Sequence, residues 1–270
     1  MSLDPRAVES LVAFWADAGV DTALGEEPQD RMKSGIEALG PRLPPAAPPP
    51  QPVRPAFGDA APEAAFDLTA ARALAAAAND LAELEAAIAG FEGCPLRFAG
   101  ASRSVFARGA PDAPLMIIGE GPGAEEDAQG APFVGRAGKL LDRMLAAAGL
   151  TDRVFITNTV FWRPPGNRDP TPAEQMACQP FLERAIALVN PRLLLLAGGS
   201  AAKSVLQRKE GILAMRGRWF EWRSADGTLE LPALPTLHPA FLLRQPAAKK
   251  KAWEDLLTLA ERLDRPARPT

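Results

Sequence analysis

From Leu115 onward the chain repeats one pattern. Short apolar runs, LMIIG (115–119), RVFITN (153–158), RLLLLAG (192–198) and LPALPTL (231–237), alternate with helical stretches. GRAGKLLDRMLAAAG, PAEQMACQPFLERAIALV and GSAAKSVLQ lie between them, and AKKKAWEDLLTLAERL follows the last. The runs do not alternate apolar with polar residues, so each strand should be buried on both faces. Strands of that kind, joined by helices, form a parallel sheet with helices packed above and below. The expected fold is α/β, a three-layer α/β/α domain around a four-stranded parallel central sheet.

Such a sheet binds ligands in the crevice at the carboxyl ends of its strands. Here those ends lead into Glu120-Gly121-Pro122-Gly123, Asn158, Gly198-Gly199-Ser200 and His238-Pro239. One crevice would therefore receive a carboxylate, an amide and an imidazole, groups suited to reading and polarising a small polar ring. His238 is the only histidine and there is no tyrosine, so any imidazole chemistry rests on that one residue.

The segment before the repeat differs in kind. Residues 5–18 space Leu11, Phe14 and Trp15 on one helical face, and residues 41–55 hold eight prolines, the composition of a semi-rigid spacer. The division expected is a helical N-terminal arm (1–40), a Pro-rich linker (41–56), an Ala-rich helical segment (57–92), the main domain (93–263) and a tail (264–270). Asp-Leu-Thr starting at Asp67 reads as a cap for one helix running to about residue 90. Charge follows the same division. Residues 1–93 carry 15 acidic and 6 basic side chains, net −9, whereas the remainder carries 24 basic and 18 acidic, net +6. That split fits an acidic arm, open to a protein partner, on a domain that meets a polyanion, although ordinary solvated charge fits as well.

An apolar content of 47% supports a buried core, and no run approaches the ~18 apolar residues of a membrane span. The start MSLDPRAVES has neither the basic nor the apolar region of a secretory signal, and two cysteines build no disulfide framework. A cytoplasmic protein is expected.

GEGPGA matches the dinucleotide fingerprint at Gly119, Gly121 and Ala124. That fingerprint needs a helix N-terminus directly after the glycines to meet pyrophosphate. Pro122 stiffens the turn, EEDAQGAPFVG reads as irregular chain, and four carboxylates (Glu120, Glu125, Glu126, Asp127) would repel an anion. No nucleotide cofactor is expected, and the glycines need another purpose.

The strings GEGPGAEEDAQGAPFVGRAGKLL, ITNTVFWRPPGNRDPTPAEQMACQPFL and TLHPAFLLRQPAAKKKAWEDL, taken in order across roughly residues 94–260, resemble the family 4 uracil-DNA glycosylases. The resemblance implies a four-stranded parallel sheet between helices, uracil-containing DNA as substrate, and hydrolysis of the N-glycosidic bond of deoxyuridine to start base-excision repair. It also implies roles. The first string would be the catalytic loop, with Gly121 beside the substrate; Phe133 would stack on the extruded base and Asn158 would read it. HPAFLLR would be the histidine-bearing loop that enters DNA. On this reading the Gly-Pro-Gly turn brings carboxylates close to a deoxyribose, where positive charge develops.

That chemistry needs negative charge near the sugar, donors at the base and a placed water. Glu120 and Glu126 are the candidates for the charge and the water, with Glu125 and Asp127 facing solvent or orienting the loop. His238 would donate to uracil O2. The amide of Asn158 can give to O4 and accept from N3–H, a pairing that cytosine reverses. Thymine exclusion lacks the tyrosine used elsewhere in the superfamily, and Glu126 stands nearest in position. Phe241, Leu242 and Leu243 would form an apolar wedge, with Arg244 and Lys249–Lys251 on phosphates; a solvated lysine face explains Lys249–Lys251 equally well. Arg163, Arg168, Arg216 and Arg218 are further phosphate candidates.

The family resembles itself in four cysteines around a [4Fe–4S] cluster. Here the pattern C-x-x-C reads Cys94-Pro-Leu-Arg97, and Trp162 stands where a cysteine is expected before RPP. Cys94 and Cys178 are remnants of that set, two thiolates do not hold a cubane, and no cofactor is expected. A catalytically weak damaged-DNA binding or scaffold protein on the same fold is the alternative function.

Overall fold

A computed structural model describes residues 68–265. The helical arm, the Pro-rich linker, the start of the Ala-rich segment and the last residues of the tail lie outside the described residues.

The Ala-rich segment forms two helices where one was expected, α1 (Leu68–Ala77) and α2 (Leu81–Gly90). The break is chemical. Asp80 adopts extended backbone and its carboxylate accepts the Glu83 N–H at 2.8 Å, while the Glu83 carboxylate accepts the Asn79 N–H at 2.7 Å. These reciprocal bonds satisfy the donors that start α2. Arg184 donates two hydrogen bonds to the Ala78 carbonyl and so fixes the corner to the helix beneath it.

The sheet has six strands in the order β1-β3-β2-β4-β6-β5. Its centre is the expected parallel set: β2 (Leu115–Gly119), β3 (Val154–Asn158), β4 (Leu193–Ala197) and β6 (Glu230–Thr236). Two antiparallel edge strands were not expected, β1 (Ala107–Gly109) against β3 and β5 (Phe220–Arg223) against β6. Every residue of β2, β3 and β4 is buried, because both faces are covered. Met116, Ile118, Phe155, Leu194 and Leu196 meet α1, α2 and α5 (Pro172–Val189) on one side. Leu115, Ile117, Ile156, Leu193 and Leu195 meet α4 (Arg136–Ala147) and α9 (Lys249–Asp264) on the other.

The segment 124–129, expected to be irregular, is a helix, α3 (Ala124–Gln129), which starts directly after Gly123. Shorter helices α6 (Gly199–Leu206), α7 (Ile212–Met215) and α8 (Pro239–Arg244) follow β4 and β6. Among the described residues no helix is long and apolar enough to cross a membrane.

Candidate active site

The carboxyl ends of the parallel strands open into a groove of about 1140 Å³, lined among others by Glu120, Gly121, Glu126, Phe133, Asp169, His238 and Arg244. In β2 and β3, Gly119 pairs with Asn158, so the Gly-rich turn and the amide leave the sheet side by side. Thr159 locks that junction: its N–H donates to the Gly119 carbonyl at 2.9 Å and its hydroxyl to the Glu120 carbonyl at 2.6 Å. A Cβ at Gly119 would run into both Asn158 Oδ1 and the Phe133 ring. Only glycine lets amide and ring approach each other there.

Asn158 is 1% exposed, and neither its amide nitrogen nor its oxygen has a partner within the protein. A buried amide left unpaired costs ~1–3 kcal/mol, and such groups in native cores are rare enough to require an explanation. Phe133, in the loop between α3 and α4, is 6% exposed and has left-handed backbone at φ 55°. Few residues without special reason adopt that conformation. Its ring lies 5.7 Å from the His238 ring, tilted by 33°.

His238 caps α8. Its Nδ1 accepts the Ala240 N–H at 3.1 Å, which leaves the proton of the neutral ring on Nε2. Burial first, and then the Arg244 cation, hold its pKa down to about 4, with the Glu126 carboxylate pulling the other way. The side chain is therefore a neutral Nε2–H donor at physiological pH.

The two candidate glutamates lie in different environments. Glu120 is partly buried in the groove, and burial together with the facing Asp169 carboxyl pushes it up to about 7. The Glu126 carboxylate accepts N–H bonds from Gly123 at 3.1 Å, Val134 at 3.0 Å and Gly135 at 2.9 Å. It thus closes the start of α3 and draws the Phe133 loop over the turn. A helix N-terminus does follow the glycines, contrary to expectation, but its own carboxylate occupies it. Asp127, 4% exposed, accepts the Ser102 N–H at 2.8 Å and orients the loop from behind, while Glu125 is exposed.

Sequence reasoning missed Asp169. It lies in the loop after β3, held at the groove rim by the N-terminus of α5. There Thr171 and Glu174 form a reciprocal cap, and Arg168 grips Glu174 at 2.6 and 2.8 Å. A second carboxylate downstream of the Asn158 strand was the available signal.

The expected DNA-entering segment is only partly free. Leu242 is fully buried among Leu140, Leu237 and Ala252, and Leu243 packs partly against the same cluster. The wedge role is corrected for Leu242: as the inward face of α8 it belongs to the core. Phe241 and Arg244 face the groove instead, and Lys249 is exposed at the start of α9. Of the other arginines, Arg216 is committed to buried Asp255, which also accepts the Thr236 hydroxyl at 2.8 Å. Arg163 donates to Asn167 at 2.7 Å, and Arg218 lies 5.2 Å from the centre of the Phe220 ring.

Away from the groove, Cys94 and Cys178 are both fully buried free thiols with sulfurs 3.9 Å apart. Arg97 donates to the carbonyls of Ala89 at 2.7 Å and Phe91 at 3.0 Å, binding the end of α2. Trp162, 2% exposed, packs edge-on against Phe161. These residues do not fit a four-thiolate cluster, and among the described residues no group of three or more His, Cys, Asp or Glu side chains could hold a metal ion.

The chain is similar to known proteins over much of its length. The profile of the uracil DNA glycosylase superfamily matches residues 106–257. A type-4 uracil-DNA glycosylase of Sulfurisphaera tokodaii is 38% identical over 175 residues, 63% of this chain and 79% of the relative. That of Thermotoga maritima is 40% identical over 153 residues, covering 56% and 77%. That of Pyrobaculum aerophilum is 38% identical over 182 residues, covering 66% and 91%. On these matches the chain belongs to the type-4 uracil-DNA glycosylase family of the uracil-DNA glycosylase superfamily.

Proposed function

We propose that this protein excises uracil from DNA by hydrolysing the bond between N1 and C1′, the first step of base-excision repair. The observation that carries the reading is the unpartnered amide of Asn158, which converges with the Phe133 ring on Gly119. A core amide with both atoms free is explained if the extruded base supplies the partners: O4 accepts from Nδ2, and N3–H donates to Oδ1. Cytosine presents the reverse edge and would leave two buried groups unpaired, at ~1–3 kcal/mol each.

The remaining groups then take tasks suited to their surroundings. Phe133 stacks on the flipped base, as enzymes acting on bases within DNA require. As the glycosidic bond breaks, the electron pair leaves with uracil and C1′ becomes cationic. The Nε2–H of His238 donates to O2, where negative charge builds. Ionised Glu120, with Asp169 opposite, faces the sugar and receives a proton from the water that attacks C1′. Glu126 acts by position, holding the Phe133 loop through three amides. Phe241 with partly packed Leu243 meets the stack, and Arg244 and Lys249 meet phosphates.

No iron–sulfur chemistry enters these steps. We infer that the region around Cys94 and Cys178 is held by protein packing alone, with Arg97 and Trp162 in place of two ligands. The acidic arm is read as a handle for a protein partner, and a cytoplasmic location is our reading for a chain with no membrane-spanning helix among its described residues. The test is direct. Purified chain is incubated with single- and double-stranded oligonucleotides carrying one uracil, and alkali then cleaves abasic sites. Strand scission at the uracil position is expected; intact strands at stoichiometric protein would leave only the DNA-binding reading.

A further inference from the structure

Phe133 holds left-handed backbone at φ 55°, a conformation that costs about 1–3 kcal/mol unless its surroundings impose it. Glu126 grips the N–H groups that follow, those of Val134 and Gly135. The carbonyls on the other side of the turn are held by a residue remote from any strand end in the crevice. Arg108, in the middle of edge strand β1, donates from Nε to the Pro132 carbonyl at 2.8 Å and from Nη2 to the Phe133 carbonyl at 3.2 Å. The same Nη2 meets Asp142 of α4 at 2.6 Å, which aims the guanidinium at the loop. α4 lies against this turn so closely that a Cβ at Gly138 would overlap the Phe133 carbonyl.

We propose that Arg108, aimed by Asp142, is a positioning residue for the base-stacking ring of Phe133. Carboxylate and guanidinium act as two halves of one clamp: Glu126 takes donors after the turn, and Arg108 takes acceptors at and before it. The planar fork of arginine suits two adjacent carbonyls, whereas a lysine offers one compact ammonium. The ring thereby waits in stacking position before DNA arrives, and the entropy of ordering the loop is met at folding instead of at binding. This inference rests on the stacking role given to Phe133 above.

The experiment pairs excision with loop exchange. In Arg108→Ala the single-turnover rate on uracil DNA should fall roughly 10–100-fold, the scale of a displaced reacting partner. Arg108→Lys should recover part of the loss, and Asp142→Asn should lower the rate by a smaller factor. On a Phe133→Ala background, Arg108→Ala should cost less than about twofold, because the residue it serves is gone. Independently of catalysis, hydrogen exchange at 131–135 should quicken in Arg108→Ala while β2 and β3 keep their protection. Arg108→Lys, which retains the charge and stem, serves as the folded variant should alanine destabilise the edge strand. Unchanged exchange at 131–135 overturns the clamp, and equal losses on both backgrounds overturn its action through Phe133. A wild-type chain that leaves uracil in place would overturn the reading of the site itself, and the stacking role with it.

Discussion

Glu120 and Asp169 face one another in the groove, and burial first, with the neighbouring Asp169 carboxyl adding to it, keeps Glu120 protonated up to about pH 7. Glu120 reaches this place at the end of β2, and Asp169 through the capped start of α5. Two carboxyls this close do not readily ionise together.

This pairing predicts the pH dependence of excision. If ionised Glu120 receives the water proton, the single-turnover rate should rise as pH increases through about 7 and level off above it. Asp169→Asn removes the facing charge but leaves the burial, so the midpoint should move toward acid. A midpoint that stays at its wild-type pH in Asp169→Asn would place the titration elsewhere.

His238 should affect the height of that profile and not its midpoint. Its pKa near 4 lies below the usual 6.5, so the ring is neutral across the range in which Glu120 titrates. His238→Ala should lower the chemical rate by roughly 10²–10³, the scale of one lost oxyanion-type donor. Affinity for abasic-site DNA should change little. The neutral ring also contributes stability that is complete above about pH 6.5 and lost as pH falls toward 4. Near-normal excision with lost DNA affinity in His238→Ala would make the residue a docking group.

Asn158 should show function and stability opposed. Asn158→Asp should lose uracil excision, because a carboxylate cannot donate to O4. Asn158→Leu should also be inactive, yet unfold at higher temperature, since an unpaired buried amide is replaced by an apolar side chain of similar size. The gain expected is about 1 kcal/mol, read by thermal or denaturant unfolding.

The region around the two cysteines should contain no iron. Anaerobically purified protein should be colourless near 400 nm and carry far less than stoichiometric iron. Arg97→Ala should destabilise the fold by about 1–3 kcal/mol through the two carbonyls it leaves behind. About four irons per chain would refute the packing account.

A chain starting near Ala56 should keep its single-turnover activity, since every proposed site residue lies beyond the linker. A chain starting after Gly90 should be severely destabilised. It would lose the buried Ala71, Ala75, Leu84 and Ile88 and leave the core face of α5 uncovered. Comparing excision and unfolding of the two truncations tests both statements.

The parallel core was legible because β2, β3 and β4 are covered on both faces and read as unbroken apolar runs. The edge strands were not, since Ala-Arg-Gly and Phe-Glu-Trp-Arg carry no such run. Helix α3 escaped notice because six residues are too few to display an apolar period. Residue type nominated Glu120, Asn158 and His238 for the crevice, but not the states their neighbours impose. The pairing of Glu120 with Asp169 and the cap that fixes the His238 tautomer are tertiary facts. Leu242 illustrates the same limit from the other side: two adjacent leucines look alike in sequence, and only the full burial of Leu242 against the partial burial of Leu243 distinguishes them.

The self-capped start of α3 gives the groove a polarity that a medicinal chemist could use. Glu126 already fills the seat where a phosphate would settle, and Glu120 with Asp169 adds further negative potential beside it. Free nucleotides and other small anions therefore gain nothing from that end. A compound that joins an uncharged imide edge, for Asn158, to a protonated nitrogen ring in place of the sugar would resemble the charge distribution at bond breaking. Such a molecule would meet complementary groups at both ends and owe none of its affinity to the DNA backbone.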